Sequence, residues 1–270
     1  MRCRLSSAEL SLYGVAAALF LLAWLGPVVG EPVGAHMFAD RRVLWHLPMA
    51  MDVLSNIPFA LAGVAGAVAL GRIASRRLSN VQRAMSMLFF AGLLFTAAGS
   101  AWYHLAPDDA GLMVDRTGMA IAFAGLLGLA VAGRVSERAG ALLGLLVLLL
   151  GPLAAYSALA TGNVLPWAIL QFGGIALVLL LLLRRQRAAA LPIRWGLVVL
   201  PYAVAKLLEV NDQAVFELTA QWLSGHTLKH AVAALAAAPV IVALWKAGET
   251  RQNAASATTT RQADRPVGQA

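Results

Sequence analysis

The sequence has few charged residues and a single cysteine for its length. Of its 270 residues, 13% are charged and 60% are hydrophobic, and the mean hydropathy is +0.74. Soluble domains carry about twice that share of charge, so a water-soluble globular protein is excluded. The single cysteine, Cys3, excludes an intramolecular disulfide and a thiolate-rich metal site.

Acidic residues are scarce relative to basic ones. The chain has 13 Asp and Glu residues against 21 Lys and Arg residues, which gives a formal net charge of +8. In a soluble protein this excess would suggest a nucleic-acid partner. Here the basic residues cluster in short connections between apolar stretches, where they act as topology signals for membrane insertion. We therefore expect a lipid bilayer as the partner and no nucleic acid.

The sequence contains long, continuous apolar stretches. The stretch 139–156 has no polar face to offer water, which is typical of a membrane span or a fully enclosed helix. Such continuous stretches of about twenty residues fit helices, since the strands of a membrane barrel alternate in polarity. The first window lacks a good signal-cleavage site, so we interpret it as a retained helix. Eight windows have the length of a span: 11–29, 53–71, 83–104, 112–133, 139–158, 163–183, 194–211 and 228–245.

The charges in the connections predict the orientation, because cytoplasmic loops carry the excess of Lys and Arg. The connections after the second, fourth and sixth windows contain Arg72, Arg76, Arg77, Arg83, Arg134, Arg138, Arg184, Arg185, Arg187 and Arg194. The connections after the third and seventh windows contain the acidic residues Asp108, Asp109, Asp115, Glu209, Asp212 and Glu217. The pattern predicts a multi-pass membrane protein of the inner-membrane type with both termini in the cytoplasm.

Five polar residues near the predicted outer ends of the spans fall into helical patterns. Ser100 and His104 are four residues apart in GSAWYHL, and His226 and His230 are four apart in SGHTLKH. Residues at this spacing share one helix face. Asp115 lies at the start of the next window, eleven residues after His104. The predicted orientation places all five at one depth on the periplasmic side.

Three imidazoles at one depth predict a metal site. Neutral histidines can supply three corners of a zinc tetrahedron and leave the fourth for water, the open arrangement that is typical of catalytic zinc. Asp115 would then hold or deprotonate the water, and Ser100 would donate a hydrogen bond to the developing oxyanion. The pattern favours hydrolysis, with His104, His226 and His230 as metal ligands.

Each part of this pattern also has an interpretation without function. An isolated H-x-x-x-H pair often caps a helix or binds lipid headgroups, and Ser100 could bond a carbonyl one turn back. Asp115 could pair with Arg116 at a helix N-terminus, where carboxylates are favoured by the helix dipole. The agreement of three distant segments on one side of the membrane nevertheless favours the functional interpretation.

Other polar residues near the predicted spans are expected to have simpler roles. Lys229 lies between the two histidines of SGHTLKH and is expected to extend toward lipid headgroups. His36 and His46 lie in the first outer loop without helical spacing, and we expect them to be solvated.

Four motifs carry a resemblance to a known family: DVLSNIPF at 52–59, GSAWYH at 99–104, the Asp115 of LMVDR, and SGHTLKH at 224–230. With them the chain resembles a bacterial member of the alkaline ceramidase (alkaline phytoceramidase) family. That family belongs to a wider seven-helix hydrolase superfamily that also contains the adiponectin and progestin receptors. The resemblance covers residues 50–245 and implies a seven-helix transmembrane core with one additional N-terminal helix. The domains would be an N-terminal helix and outer loop at 1–52, a catalytic membrane domain at 53–247 and a disordered cytoplasmic tail at 248–270.

The resemblance also implies residue roles and a reaction. His104, His226 and His230 would bind Zn²⁺, Asp115 would position the attacking water, and Ser100 would support the site. The family's enzymes hydrolyse the linear amide of ceramide to a fatty acid and a sphingoid base. Eukaryotic members also bind calcium through acidic residues before their first core helix. The corresponding segment here has only the carboxylates Asp40 and Asp52, with two arginines between them, which argues against a calcium site.

Three alternatives to a ceramidase-type enzyme stay open. A receptor-like protein with structural zinc would need a fourth ligand, and the sequence offers no obvious candidate. A hydrolase of a different acyl lipid would use the same residues, because an apolar wall of Leu, Ala and Val does not specify ceramide. A transporter or channel predicts ionisable residues in mid-membrane and broken helices in paired halves, neither of which the pattern contains.

Overall fold

The computed structural model describes residues 4–34 and 36–248, and this part of the chain is helical without a β-strand. The helices are α1 Ser7–Leu25, α2 Ala50–Gly71, α3 Asn80–Leu105, α4 Asp109–Arg134, α5 Glu137–Thr161, α6 Leu165–Leu182, α7 Gly196–Val210, α8 Asp212–Leu218 and α9 Gly225–Gly248. Seven of them, all except α7 and α8, are long and apolar enough to cross a membrane. The prediction of an all-helical membrane protein is confirmed.

The seventh predicted window, 194–211, differs from the other seven. It forms α7, which has 15 residues and is therefore about 22 Å long. A bilayer's hydrocarbon core is about 30 Å thick, so α7 alone is shorter than a span. The chain turns at Asn211 and continues as α8. The predicted disordered tail lies outside the described residues from position 249 onward.

Polar N-caps set where several helices begin. Ser79, Asp108, Ser136 and Ser224 each accept a hydrogen bond from a backbone N–H in the first turn of α3, α4, α5 and α9, respectively. Each cap satisfies a donor that has no partner within its helix. Two of these caps lie directly beside the predicted site, since α4 carries Asp115 and α9 carries both H-x-x-x-H histidines.

Glycines allow α3 and α4 to approach closely. A Cβ atom added to Gly92 would lie 2.2 Å from the backbone N of Ala122, and one added to Gly118 would lie 2.6 Å from the backbone N of Thr96. Small residues at such crossings bring helix backbones together in membrane proteins. The crossing places Ser100, near the end of α3, against the first turns of α4.

The last helix completes the polar end of the bundle. A Cβ atom added to Gly225 would lie 2.2 Å from the backbone O of Leu208, so the start of α9 lies directly against α7. Helix α2 has two parts, Ala50–Leu54 and Ile57–Gly71, and α9 packs against both. The start of α9 is thus enclosed by other helices, and the histidines of its first two turns face the interior.

Candidate metal centre

The structure brings the three predicted histidines together. His104 comes from the last turn of α3, and His226 and His230 come from the first turns of α9. Their exposed fractions are 0%, 7% and 5%. One nitrogen of each ring lies within 4.8 Å of the others, and the three form a group that could hold a metal ion.

The donor set fits a zinc ion. The Nε2 atoms of His104 and His226 are 3.2 Å apart, close to the roughly 3.3 Å that separates two ligands of a tetrahedral zinc with bonds of about 2.0–2.1 Å. His104 turns its Nε2 toward the other histidines, and its Nδ1 is buried without a hydrogen-bond partner among the described residues. No fourth His, Cys, Asp or Glu of the described residues belongs to it.

Ser55 orients the ring of His230. The Ser55 Oγ atom lies 2.7 Å from His230 Nδ1 and donates to the backbone O of Asp52 at 2.8 Å. The ring therefore donates from Nδ1, and Nε2 keeps its lone pair for a metal. Ser55 reaches this position because α2 is interrupted at Ser55–Asn56. Ser55 lies in the motif DVLSNIPF, but spacing along one helix does not predict its contact with His230.

Asp52 connects the start of α2 to the start of α9. Its Oδ1 accepts from Thr227 Oγ1 at 2.6 Å and from Ser224 Oγ at 3.5 Å, and the residue is fully buried. Its Oδ2 has no partner among the described residues. This contact holds the H-x-x-x-H turn against α2, and the sequence pattern did not predict it.

The first outer loop covers the histidines. The Phe38 ring contacts the rings of His104 and His226 edge to face, with centroids 4.8 and 4.5 Å apart. Asp212, at the start of α8, accepts from the backbone N of Ala39 at 2.9 Å and from that of His226 at 2.7 Å. One carboxylate therefore attaches the loop to the helix that carries two of the histidines.

The same loop contains a tight ion pair. Arg42 donates to both carboxylate oxygens of Asp40, at 2.8 and 2.5 Å, and to the backbone O of Trp222 at 2.9 Å. Burial raises the pKa of Asp40, but hydrogen bonds from Arg42 outweigh it and hold that pKa below its usual value. Asp40 thus serves to anchor the loop.

His36 is not simply solvated as predicted. Its ring nitrogens lie 2.8 Å from the Tyr103 hydroxyl and 2.9 Å from Asp109 Oδ1. Tyr103 in turn contacts the His104 ring. His46 is exposed, in agreement with the prediction.

Ser100 and Asp115 lie side by side on one cavity. The cavity is also lined by His230, so it reaches the metal centre. Both side chains line it, and Asp115 Oδ1 is buried without a hydrogen-bond partner among the described residues. Arg116 forms a bidentate ion pair with Glu31. The alternative pairing of Arg116 with Asp115 is therefore not formed.

Lys229 does not extend to headgroups as predicted. Its Nζ lies 2.5 Å from Glu209 Oε1, and the other oxygen of Glu209 pairs with Lys206. All three residues line the same cavity as Asp115. The available signal for this cluster was Lys206 and Glu209, three residues apart in the second half of the window 194–211.

The fold and this site define a multi-pass membrane protein with a buried three-histidine group that could hold a metal ion. No protein-family model, curated protein or solved structure matches the chain.

Proposed function

We propose that this protein is a zinc-dependent membrane hydrolase that cleaves the amide bond of ceramide-like N-acyl lipids to a fatty acid and an amine such as a sphingoid base. The observation that carries the proposal is the open three-histidine group, with Ser100 and Asp115 on the cavity that reaches it. A catalytic zinc site typically has three protein ligands and one open position.

The residues divide the chemistry between them. His104, His226 and His230 would hold the zinc, which when bound would supply Lewis-acid activation of water and the amide carbonyl at neutral pH. Asp115 takes the proton of the attacking water at its unpaired Oδ1 and returns it to the leaving nitrogen. Ser100 donates a hydrogen bond to the oxygen that becomes negative as the carbonyl is attacked.

The shape of the cavity supports a lipid substrate. From Ser100 it runs inward past Phe89 and Leu93 of α3, Leu126 of α4 and Ala237 of α9. Ser100 and Phe89 are eleven residues apart on one helix, so this apolar wall is about 16 Å deep. An acyl chain would pack along this wall, and its amide would lie at the polar end of the cavity, beside the histidines.

A receptor-like protein with structural zinc is the main alternative. Structural zinc sites are closed by four protein ligands, whereas the group here has three among the described residues. This difference favours the enzyme. The choice of ceramide over another N-acyl lipid rests on the family resemblance.

The test is metal analysis and hydrolysis of N-acyl lipid amides by protein purified in detergent. We expect about one zinc per chain in the wild type, loss of both metal and activity in His226→Ala, and retained metal with activity lowered about 10²- to 10⁴-fold in Asp115→Asn. His46→Asn is the control, because His46 is exposed and Asn tolerates its left-handed backbone at φ 64°.

The outcomes separate the alternatives. Zinc in the wild type without turnover of any N-acyl lipid would favour the structural-zinc protein. A wild type without bound metal after zinc is supplied would refute the metal site, and equal metal loss in His46→Asn would show that the assay reports folding only.

A further inference from the structure

Two lysines share one glutamate on the wall of the cavity. Glu209 accepts from Lys229 through Oε1 and from Lys206 through Oε2. Lys206 and Glu209 lie near the end of α7, three residues apart, and Lys229 comes from α9. We call these three residues the lysine–glutamate cluster. Their side chains are 31%, 30% and 17% exposed, and all three line the cavity.

The charges of this cluster do not cancel. Two ammonium groups and one carboxylate leave one unit of positive charge within the cluster. Asp115 lines the same cavity and is close enough to interact with the charge of Lys229, but it forms no ion pair with either lysine among the described residues. Ionisable groups at membrane depth are costly and normally have partners there. A neutral pair would need only one lysine, so the second lysine points to a negatively charged ligand.

The position of the cluster identifies which part of a ligand it would meet. The cavity is lined by Ser100, Asp115 and His230 at the metal end, by the lysine–glutamate cluster beside them, and by apolar side chains below. A lipid with its acyl chain on the apolar wall and its amide at Asp115 would place the group attached to nitrogen near the lysines. Each lysine donates to Glu209 through one N–H and retains further N–H donors.

We propose that Lys206 and Lys229 bind a carboxylate on the nitrogen side of the substrate amide, so that the preferred substrates are N-acyl amino acids. The inference rests on the proposed hydrolase function and narrows its substrate class. Water adds across the C–N bond, and the products are a fatty acid and a free amino acid. A carboxylate can accept charge-assisted hydrogen bonds from the remaining N–H donors of both lysines, whereas the diol of a simple ceramide is uncharged.

The test compares two lipids that differ only in the charged group, N-dodecanoylglycine and N-dodecanoylethanolamine. Hydrolysis by wild type, Lys206→Met and Lys206→Arg is measured together with zinc content. Lys206→Met leaves a neutral Lys229–Glu209 pair and lies outside the metal ligands, and Lys246→Met is the matched control at the opposite end of α9. Binding is measured separately with two uncleavable ethers, dodecyloxyacetate and 2-dodecyloxyethanol, by thermal stabilisation of the same proteins.

We expect wild type to favour the glycine lipid in kcat/KM by at least about tenfold, since only that lipid offers a carboxylate for charge-assisted hydrogen bonds from the lysines. Lys206→Met should lose this preference and retain zinc, and Lys206→Arg and Lys246→Met should keep it. The acid ether should stabilise wild type more than the alcohol ether, and this difference should disappear in Lys206→Met.

Two results distinguish failure of this inference from failure of the proposed function. Hydrolysis of both lipids without a preference, or a preference unchanged in Lys206→Met, would refute the carboxylate site and leave the hydrolase. Selective, Lys206-dependent binding of the acid ether without hydrolysis of either lipid would support the carboxylate site and refute the hydrolase. If Lys206→Met does not fold, equal stabilisation of wild type by the two ethers refutes the inference.

Discussion

At one end of the bundle, polar side chains from different helices point toward one another, whereas at the other end arginines bind backbone carbonyls. The first, which we call the site end, contains His104, Asp115 and Lys229 around one cavity and metal centre. At the second, the arginine end, Arg134 donates to the backbone O of Leu181 and Arg187 to that of Ala132, both at 2.8 Å.

The two ends have different requirements. Carbonyls at helix C-termini lack partners within the helix, and arginine satisfies them with a long side chain and several donors. These bonds stabilise the fold without creating a cavity. The site end instead has buried polar atoms without a partner among the described residues, including His104 Nδ1 and Asp115 Oδ1. Unpaired buried groups cost free energy, and their retention is typical of a functional site.

The largest expected effect comes from separating the helices that form the site end. Gly118→Val would place a Cβ atom 2.6 Å from the backbone N of Thr96, so α3 and α4 must move apart. We expect a loss of about 3 kcal/mol or more in stability, and loss of metal binding. Thermal melting and zinc content are the measurements. Gly14→Val is the control, since a Cβ atom there has no neighbour within 4 Å, and equal effects of the two changes would contradict the close crossing.

A loss of stability without a loss of bound metal is expected at the arginine end. Arg134→Met removes the donor to the carbonyls of Leu181 and Arg184, at a cost of about 1–3 kcal/mol in unfolding free energy. Zinc content per folded chain should stay unchanged. Arg185→Met, in the connection after α6 and exposed, should have little effect on either quantity. Metal loss in Arg134→Met would show that the two ends are coupled.

Removing the Ser55 hydroxyl at the site end should lower metal affinity more than it lowers the stability of the fold. Ser55→Ala removes the acceptor of His230 Nδ1, and loss of such a partner lowers metal affinity about 10- to 100-fold. Competition with a chromophoric chelator measures the affinity, and Ser55→Thr should restore most of it because the hydroxyl is kept. Unchanged affinity in Ser55→Ala would remove Ser55 from the centre.

The smallest expected effect is the loss of a helix cap at the arginine end. Ser79→Ala removes the acceptor of the Gln82 backbone N–H and should lower stability by about 1 kcal/mol. Ser79→Asp, another good N-cap, should behave like the wild type in the same melting experiment. A larger loss for the aspartate would contradict the capping role.

The sequence predicted the parts of the structure that depend on spacing along one helix. Hydropathy located seven spans, and the spacing of four residues placed His226 and His230 on one face. Contacts between distant segments were not predictable in this way. Ser55 meets His230 across 175 positions, and Lys229 meets Glu209 across 20. The prediction that Lys229 reaches headgroups was wrong because it considered only the helix that carries the lysine.

Because Phe38 covers two of the histidine rings, the affinity for a metal ion and the rate of its exchange depend on different residues. Any ion held by the three histidines lies beneath a loop that Asp212 attaches to α9. On the side of the metal centre that this loop covers, a chelator can reach such an ion only after the loop moves. The affinity is therefore set by the imidazoles and Ser55, and the exchange rate by Phe38 and Asp212. An ion that is retained for a long time is then not necessarily one that is bound tightly.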